Sequence, residues 1–97
     1  MIRNIALSLL AVISLTAVAS AEPLKALIVD GQNNHGVWPT TTKMMKKYLE
    51  ETGLFTVDVA TTAPKGTDEK FKPDFKKYAV VISNYNGDAW PAETKQA

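Results

Sequence analysis

The sequence predicts an α/β fold built around a parallel sheet, and three observations lead to that prediction. Two short aliphatic runs, residues 24–29 and 79–82, are each closed by polar turn residues, which is typical of strands buried on both faces. An amphipathic helical pattern follows the first run, and strictly alternating apolar residues at 55–60 follow the helix. Since a strand–helix–strand crossover is right-handed and joins parallel strands, the first two strands are expected to run parallel.

The boundaries of the predicted helix follow from two residues. Pro39 suits a first helical turn because its missing N–H has no partner there, and Gly53 suits the left-handed residue after the last turn. Apolar and small residues recur between them at three- and four-residue steps, which predicts the face that packs on the sheet: Thr41, Met44, Met45, Tyr48, Leu49 and Thr52.

The later elements complete the expected order. The alternation at 55–60 predicts an edge strand, residues 61–72 read as a loop, and a helical turn is expected from Pro73. The strand at 79–82 then leads, through a polar loop, to a helix that opens at Pro91. This order predicts the N-terminal part of a flavodoxin-like sheet, with the first and third strands central and the second at the edge.

Composition excludes several classes of function. The chain has 97 residues, 11 Lys+Arg against 10 Asp+Glu, one His and no Cys. A net charge of +1 without clustered basic residues gives no reason to expect a nucleic-acid partner. The absence of Cys excludes disulfides and a thiolate nucleophile from these residues, and a single His cannot make a zinc site alone. No glycine-rich phosphate-binding motif is present, so we expect neither a cofactor nor a metal.

The first 21 residues have the pattern of a secretory signal peptide. A positive start at Arg3 precedes an apolar run at 5–18, and Ala19-Ser20-Ala21 supplies the small residues of a cleavage site. The run is shorter than the roughly 20 residues that a membrane-spanning helix needs. We therefore expect residues 22–97 to be exported, to the periplasm or alternatively to the extracellular space, with no membrane association after cleavage.

We also expect residues 22–97 to be the N-terminal portion of a longer domain. The second helix has only its first turn by Ala97. The third strand would then be a bare edge despite its apolar sequence, an arrangement that proteins normally avoid.

Two loops repeat one pattern and are the best candidates for a binding site. Asn34 precedes Trp38-Pro39 after the first strand, and Asn86 precedes Trp90-Pro91 after the third. In an open parallel sheet such loops meet in a crevice at the carboxyl ends of the strands. Indole faces and amides suit the C–H faces and hydroxyls of a small-molecule carbohydrate. The candidate ligand-binding residues are Gln32, Asn33, Asn34, Trp38, Asn84, Asn86 and Trp90. An equally weighted interpretation makes each Trp a hydrophobic cap of its helix.

Three titratable residues are candidates for catalysis. His35 is the only imidazole, the side chain used most often for proton transfer, and Asp30 and Asp88 lie in the same two loops. The competing interpretation makes His35 a loop staple and Asp30 a turn former.

Several blocks of the sequence resemble one family. DGQNNH at 30–35 with Trp38-Pro39, and SNYNGD at 83–88 with Trp90-Pro91, look like the start of a ThuA-like (trehalose-utilisation) domain. The resemblance covers essentially all of residues 24–97. It implies a class I glutamine amidotransferase-like, flavodoxin-related fold and a role in carbohydrate catabolism.

The resemblance leaves three hypotheses for activity. The first is a sugar-processing enzyme domain with hydrolase-like activity and no glutaminase activity, because the region that holds the amidotransferase Cys is absent. The second is a non-catalytic carbohydrate-binding module, and the third is an inactive fragment of a longer protein. The oligomeric state stays open.

Overall fold

The computed structural model describes residues 21–97. The predicted signal peptide lies outside these residues, apart from Ala21. Within the described range the chain forms three strands, two α-helices and one short 3-10 helix. In chain order these are β1 (Leu24–Asp30), α1 (Trp38–Glu51), β2 (Phe55–Thr61), the 3-10 helix (Phe75–Lys77), β3 (Val80–Ser83) and α2 (Ala92–Gln96).

The three strands form one parallel sheet in the order β2-β1-β3. β1 pairs with β2 along its whole length, from Leu24 opposite Phe55 to Asp30 opposite Thr61. β3 pairs with the other side of β1, with Ala26 opposite Val80. The predicted flavodoxin-like α/β architecture is confirmed.

β1 lies at the centre because its sequence can be buried on both faces. Its four residues from Ala26 to Val29 are at most 2% exposed. Ala26 and Ile28 pack with Val57 on the face that α1 covers. Leu27 and Val29 pack with Phe71 on the opposite face. Because successive side chains of a strand point to opposite faces, a strand that is buried on both faces needs an uninterrupted aliphatic run.

The side of α1 that faces the sheet differs from the prediction. Thr42 is buried, and Met45 and Leu49 pack against the core, whereas Met44 and Tyr48 are exposed. The predicted stripe was wider than the face that the sheet covers. Residues 42, 45 and 49 follow three- and four-residue steps and lie on one narrow side of the helix.

The end of α1 follows the predicted pattern. Gly53 adopts a left-handed φ of 73°, and its amide donates to the carbonyl of Glu50. The Thr52 hydroxyl also donates to the carbonyl of Leu49, at 2.6 Å. These bonds satisfy carbonyls that the last helical turn leaves without partners.

Both outer strands are partly exposed. Val80 and Val81 of β3 are 38% and 41% exposed, and Val59 of β2 is 38% exposed. Among residues 21–97, β2 and β3 form the two edges of the sheet, so β3 is the bare edge that its apolar sequence led us to expect in this part of the domain. No helix among residues 21–97 is long and apolar enough to span a membrane.

Candidate functional site

Three loops meet at the carboxyl-terminal edge of the sheet. We call residues 31–37 after β1 the first loop, residues 62–70 after β2 the second loop, and residues 84–91 after β3 the third loop. The Asn86 amide of the third loop donates to the Gln32 carbonyl of the first at 2.9 Å. The Asn86 side chain donates to Asn34 Oδ1 at 3.1 Å. The structure therefore brings together the two loops that the repeated Trp-Pro pattern had singled out.

Gln32 joins all three loops through its side chain, which is 7% exposed. Its Nε2 donates to the carbonyls of Ala63 at 2.8 Å and Gly66 at 3.0 Å, both in the second loop. Its Oε1 accepts from the backbone amide of Asp88 in the third loop at 2.7 Å. Because these bonds occupy the amide group, Gln32 serves to position the loops.

Asn33 and Asn84 fix the start of α1 against the third loop. Asn84 Nδ2 donates to the carbonyl of Trp38 at 3.2 Å and to Thr42 Oγ1 at 2.9 Å. Asn33 Oδ1 accepts from the backbone amide of His35 at 2.9 Å, while its Nδ2 makes long contacts of 3.4 Å to Asn84. Both side chains are half-buried, so their principal partners are other parts of the protein.

Two glycines allow the loops to approach this closely. Gly31 has φ of 126°, and a Cβ added there would lie 2.5 Å from the amide nitrogen of Thr62. At Gly87 an added Cβ would overlap the Cβ and Oε1 atoms of the Gln32 side chain. Real Cβ atoms are not found at such separations, so both positions require glycine.

The joined loops enclose an open depression of about 420 Å³. The described residues that line it are Gly31, Gln32, Asn33, Asn34, Trp38, Pro64, Asn86, Gly87 and Asp88. Asp88 is the only charged residue of this lining. One of its carboxylate oxygens accepts from the Gly66 amide at 2.5 Å. The other has no hydrogen-bond partner among residues 21–97, and the same holds for Asn34 Nδ2 and Asn86 Oδ1.

These groups can hydrogen-bond a small polar molecule and give it an apolar surface on one side. The indole of Trp38 is half-buried and supplies an apolar surface. The free amide groups of Asn34 and Asn86 supply a donor and an acceptor, and the free oxygen of Asp88 supplies a second acceptor.

Asp30 and His35 do not line the depression. Asp30 is 3% exposed, its Oδ1 accepts from the Thr61 hydroxyl at 2.6 Å, and its carbonyl accepts from the Thr62 amide. These bonds hold the ends of β1 and β2 together. His35 is exposed, and its backbone binds Asn33 Oδ1 and the Trp38 amide. Of the three candidate catalytic residues, the structure places only Asp88 in the depression.

Trp90 packs within an aromatic cluster on the face of the sheet opposite α1. Its ring centroid lies 5.3 Å from that of Phe71, 6.2 Å from Phe75 and 5.7 Å from Tyr85. The indole Nε1 is buried, and it has no hydrogen-bond partner among the described residues. The structure therefore separates the two indoles, and Trp38 alone reaches the depression.

Tyr85 connects this aromatic cluster to the site. Its hydroxyl donates to the Asp88 carbonyl, which anchors the third loop over the cluster. Burial, together with the nearby Asp88 carboxylate, raises the pKa of the Tyr85 hydroxyl above its usual value of 10.0. Tyr85 therefore remains a neutral donor at physiological pH.

The second loop is the part of the site that the sequence analysis missed. Pro64 lines the depression, and the backbone of Gly66 binds both Gln32 and Asp88. A usable signal was present, because this loop also follows a parallel strand and so begins at the same sheet edge as the other two. Among residues 21–97, no group of three or more His, Cys, Asp or Glu side chains is arranged to hold a metal ion.

Comparison with known proteins supports one family. No family model matches the chain, and no curated protein matches it. A solved structure does match: the 1.75 Å crystal structure of a "putative thua-like protein" from Parabacteroides merdae ATCC 43184, with 41% sequence identity and a TM-score of 0.72. The match covers 76% of this chain and 26% of that protein, so the chain spans about a quarter of its length. In the part that is matched, the chain is ThuA-like in both sequence and fold.

Proposed function

We propose that the depression formed by the three loops binds a sugar, and that the protein acts in carbohydrate catabolism. The observation that carries this proposal is the lining of the depression. It combines one indole, unpaired amide groups and one carboxylate oxygen at the sheet edge where open α/β folds bind ligands. The resemblance to the trehalose-utilisation family supports the choice of a sugar as ligand. Export to the periplasm or the extracellular space is part of the same proposal.

Binding without catalysis is the second candidate, and one observation favours it. Among residues 21–97, Asp88 is the only proposed proton-transfer group in the depression, and it is exposed. General acid–base catalysis of glycoside cleavage uses two carboxyl groups on opposite sides of the bond. If the protein is a hydrolase-like enzyme, a second group has to come from outside the described residues.

Calorimetry on the full-length protein with glucose, galactose, maltose and trehalose tests the proposal. Trp38→Ala removes the apolar surface of the depression, and we expect it to weaken the tightest sugar by roughly five- to tenfold, about 1–1.4 kcal/mol. Tyr48→Ala is the matched control, because Tyr48 is an exposed aromatic residue of the same helix that does not line the site. Failure of the wild-type protein to bind any of the four sugars, or equal losses in the two variants, would contradict the proposal.

Product analysis by chromatography separates the two candidates. Cleavage of maltose or trehalose by the full-length protein would favour the enzyme. Binding of either disaccharide without cleavage would favour the binding module.

A further inference from the structure

The charge of the depression is set by a single residue. Asp88 is its only charged lining residue, and the bond from the Gly66 amide at 2.5 Å holds one carboxylate oxygen in place. Lys65 adjoins Gly66 in the sequence, but it is exposed and does not line the depression. A ligand seated against Asn34 and Asn86 therefore meets a fixed negative charge, and residues 21–97 place no cation in the lining to offset it.

The N-terminus of α1 does not supply a compensating anion site. Helix N-termini attract anions through the free amides of their first turn. Here the Trp38 amide donates to the His35 carbonyl at 3.1 Å, and the Thr40 amide donates to the Val37 carbonyl at 3.0 Å. Pro39, between them, has no N–H. The first turn that borders the depression therefore has no amide free to bind a phosphate or carboxylate.

We propose that this site selects uncharged sugars, and that Asp88 is the residue that determines this selectivity. The inference rests on the proposed sugar-binding function and names its substrate class. The free oxygen of Asp88 accepts a hydrogen bond from a hydroxyl group of the neutral sugar. A phosphorylated or uronic sugar brings a second negative charge to the same carboxylate. Repulsion between two like charges about 4 Å apart in water weakens the binding of the anionic sugar about fivefold relative to the neutral sugar. The difference in affinity is larger where water is excluded.

Competition calorimetry with matched pairs measures the selectivity. The probes are glucose against glucose 6-phosphate, galactose against galacturonate, and trehalose against trehalose 6-phosphate, each added to the full-length protein. We expect the neutral member to bind at least about fivefold more tightly. Raising sodium chloride from about 0.02 M to about 0.5 M should shrink that ratio, because salt screens the exposed carboxylate. This salt dependence is read on the wild-type protein and needs no variant to fold.

Asp88→Asn is the decisive variant, because its amide oxygen can still accept from Gly66 while the charge is removed. We expect the variant to bind neutral sugars more weakly, because the oxygen that accepted from the sugar hydroxyl becomes an NH2 donor. It should also lose most of the discrimination against anionic sugars, so the ratio of the two affinities is the quantity that tests the role of the charge. Asp74→Asn is the control, since Asp74 is an exposed carboxylate that does not line the depression. The ratio of its affinities for the neutral and the anionic sugar should equal that of the wild type.

The outcomes separate this inference from the function on which it rests. If the wild-type protein binds anionic sugars as tightly as neutral ones, or if Asp88→Asn and Asp74→Asn retain the same preference, sugar binding stands and the role of Asp88 is overturned. If no sugar of either kind binds, the proposed function fails and the inference fails with it.

Discussion

Replacing Gln32 by Ala tests whether one buried amide holds the three loops together. The variant removes three hydrogen bonds, to Ala63, Gly66 and Asp88. A typical internal hydrogen bond contributes about 1 kcal/mol to stability. The Ala63 carbonyl is in a half-buried residue, whereas the Gly66 carbonyl belongs to an exposed residue that water can reach. We therefore expect the free energy of unfolding to fall by roughly 2–3 kcal/mol rather than by more.

Urea unfolding of the full-length protein measures this loss, and Gln96→Ala is the matched control. Gln96 is exposed in α2 and makes no side-chain hydrogen bond among the described residues, so its replacement should change stability by less than about 0.5 kcal/mol. Amide hydrogen exchange adds a local measure, because the Asp88 amide loses its acceptor and should exchange faster. A loss at Gln32 no larger than at Gln96, with Asp88 still protected, would refute the assignment of Gln32 as the central support.

Two further predictions concern the packing around the site. Gly87→Ala should lower the unfolding free energy by about 1–3 kcal/mol, because the added methyl overlaps the immobilised Gln32 side chain; an unchanged melting temperature would contradict this. Tyr78 donates to the Asp58 carboxylate at 2.8 Å, and this bond, followed by burial, raises the pKa of Tyr78 above 10.0. A raised pKa stabilises the fold fully below pH 10.0 and ceases to do so as the pH rises through the folded-state value. The melting-temperature gap between wild type and Tyr78→Phe should therefore be constant from neutral pH up to pH 10 and shrink above it, and a gap that widens above pH 10 would contradict the pairing.

The sheet was predictable from the sequence because local pattern and burial agree there. The uninterrupted aliphatic run of β1 is typical of a strand that is covered on both faces. Ala26 and Ile28 are fully buried. The parallel pairing and the meeting of two loops at one sheet edge follow from chain topology. Gly53 at the end of α1 was predictable for a local reason, since the left-handed stop depends only on neighbouring residues.

The roles of the polar site residues were not predictable, because their partners are distant in sequence. Gln32 was expected to contact ligand; it does line the depression, and its amide group is bonded to groups that lie 31, 34 and 56 residues along the chain. Asp30 similarly binds Thr61, 31 residues away. A polar residue in a loop has the same appearance in the sequence whether it faces a ligand or another loop. The conformations of the three loops, which have no periodic pattern, decide between these roles.

The two Trp-Pro segments show how one sequence pattern acquires two roles from the faces of the sheet. α1 has 14 residues and covers its face with Met45 and Leu49, so Trp38 at its first turn is not needed in the core and lines the depression. Among residues 21–97, the opposite face is covered by aromatic side chains from the segment before β3 and from the third loop. Trp90 fills that layer together with Phe71. The role of each Trp therefore depends on which side chains already cover its face of the sheet.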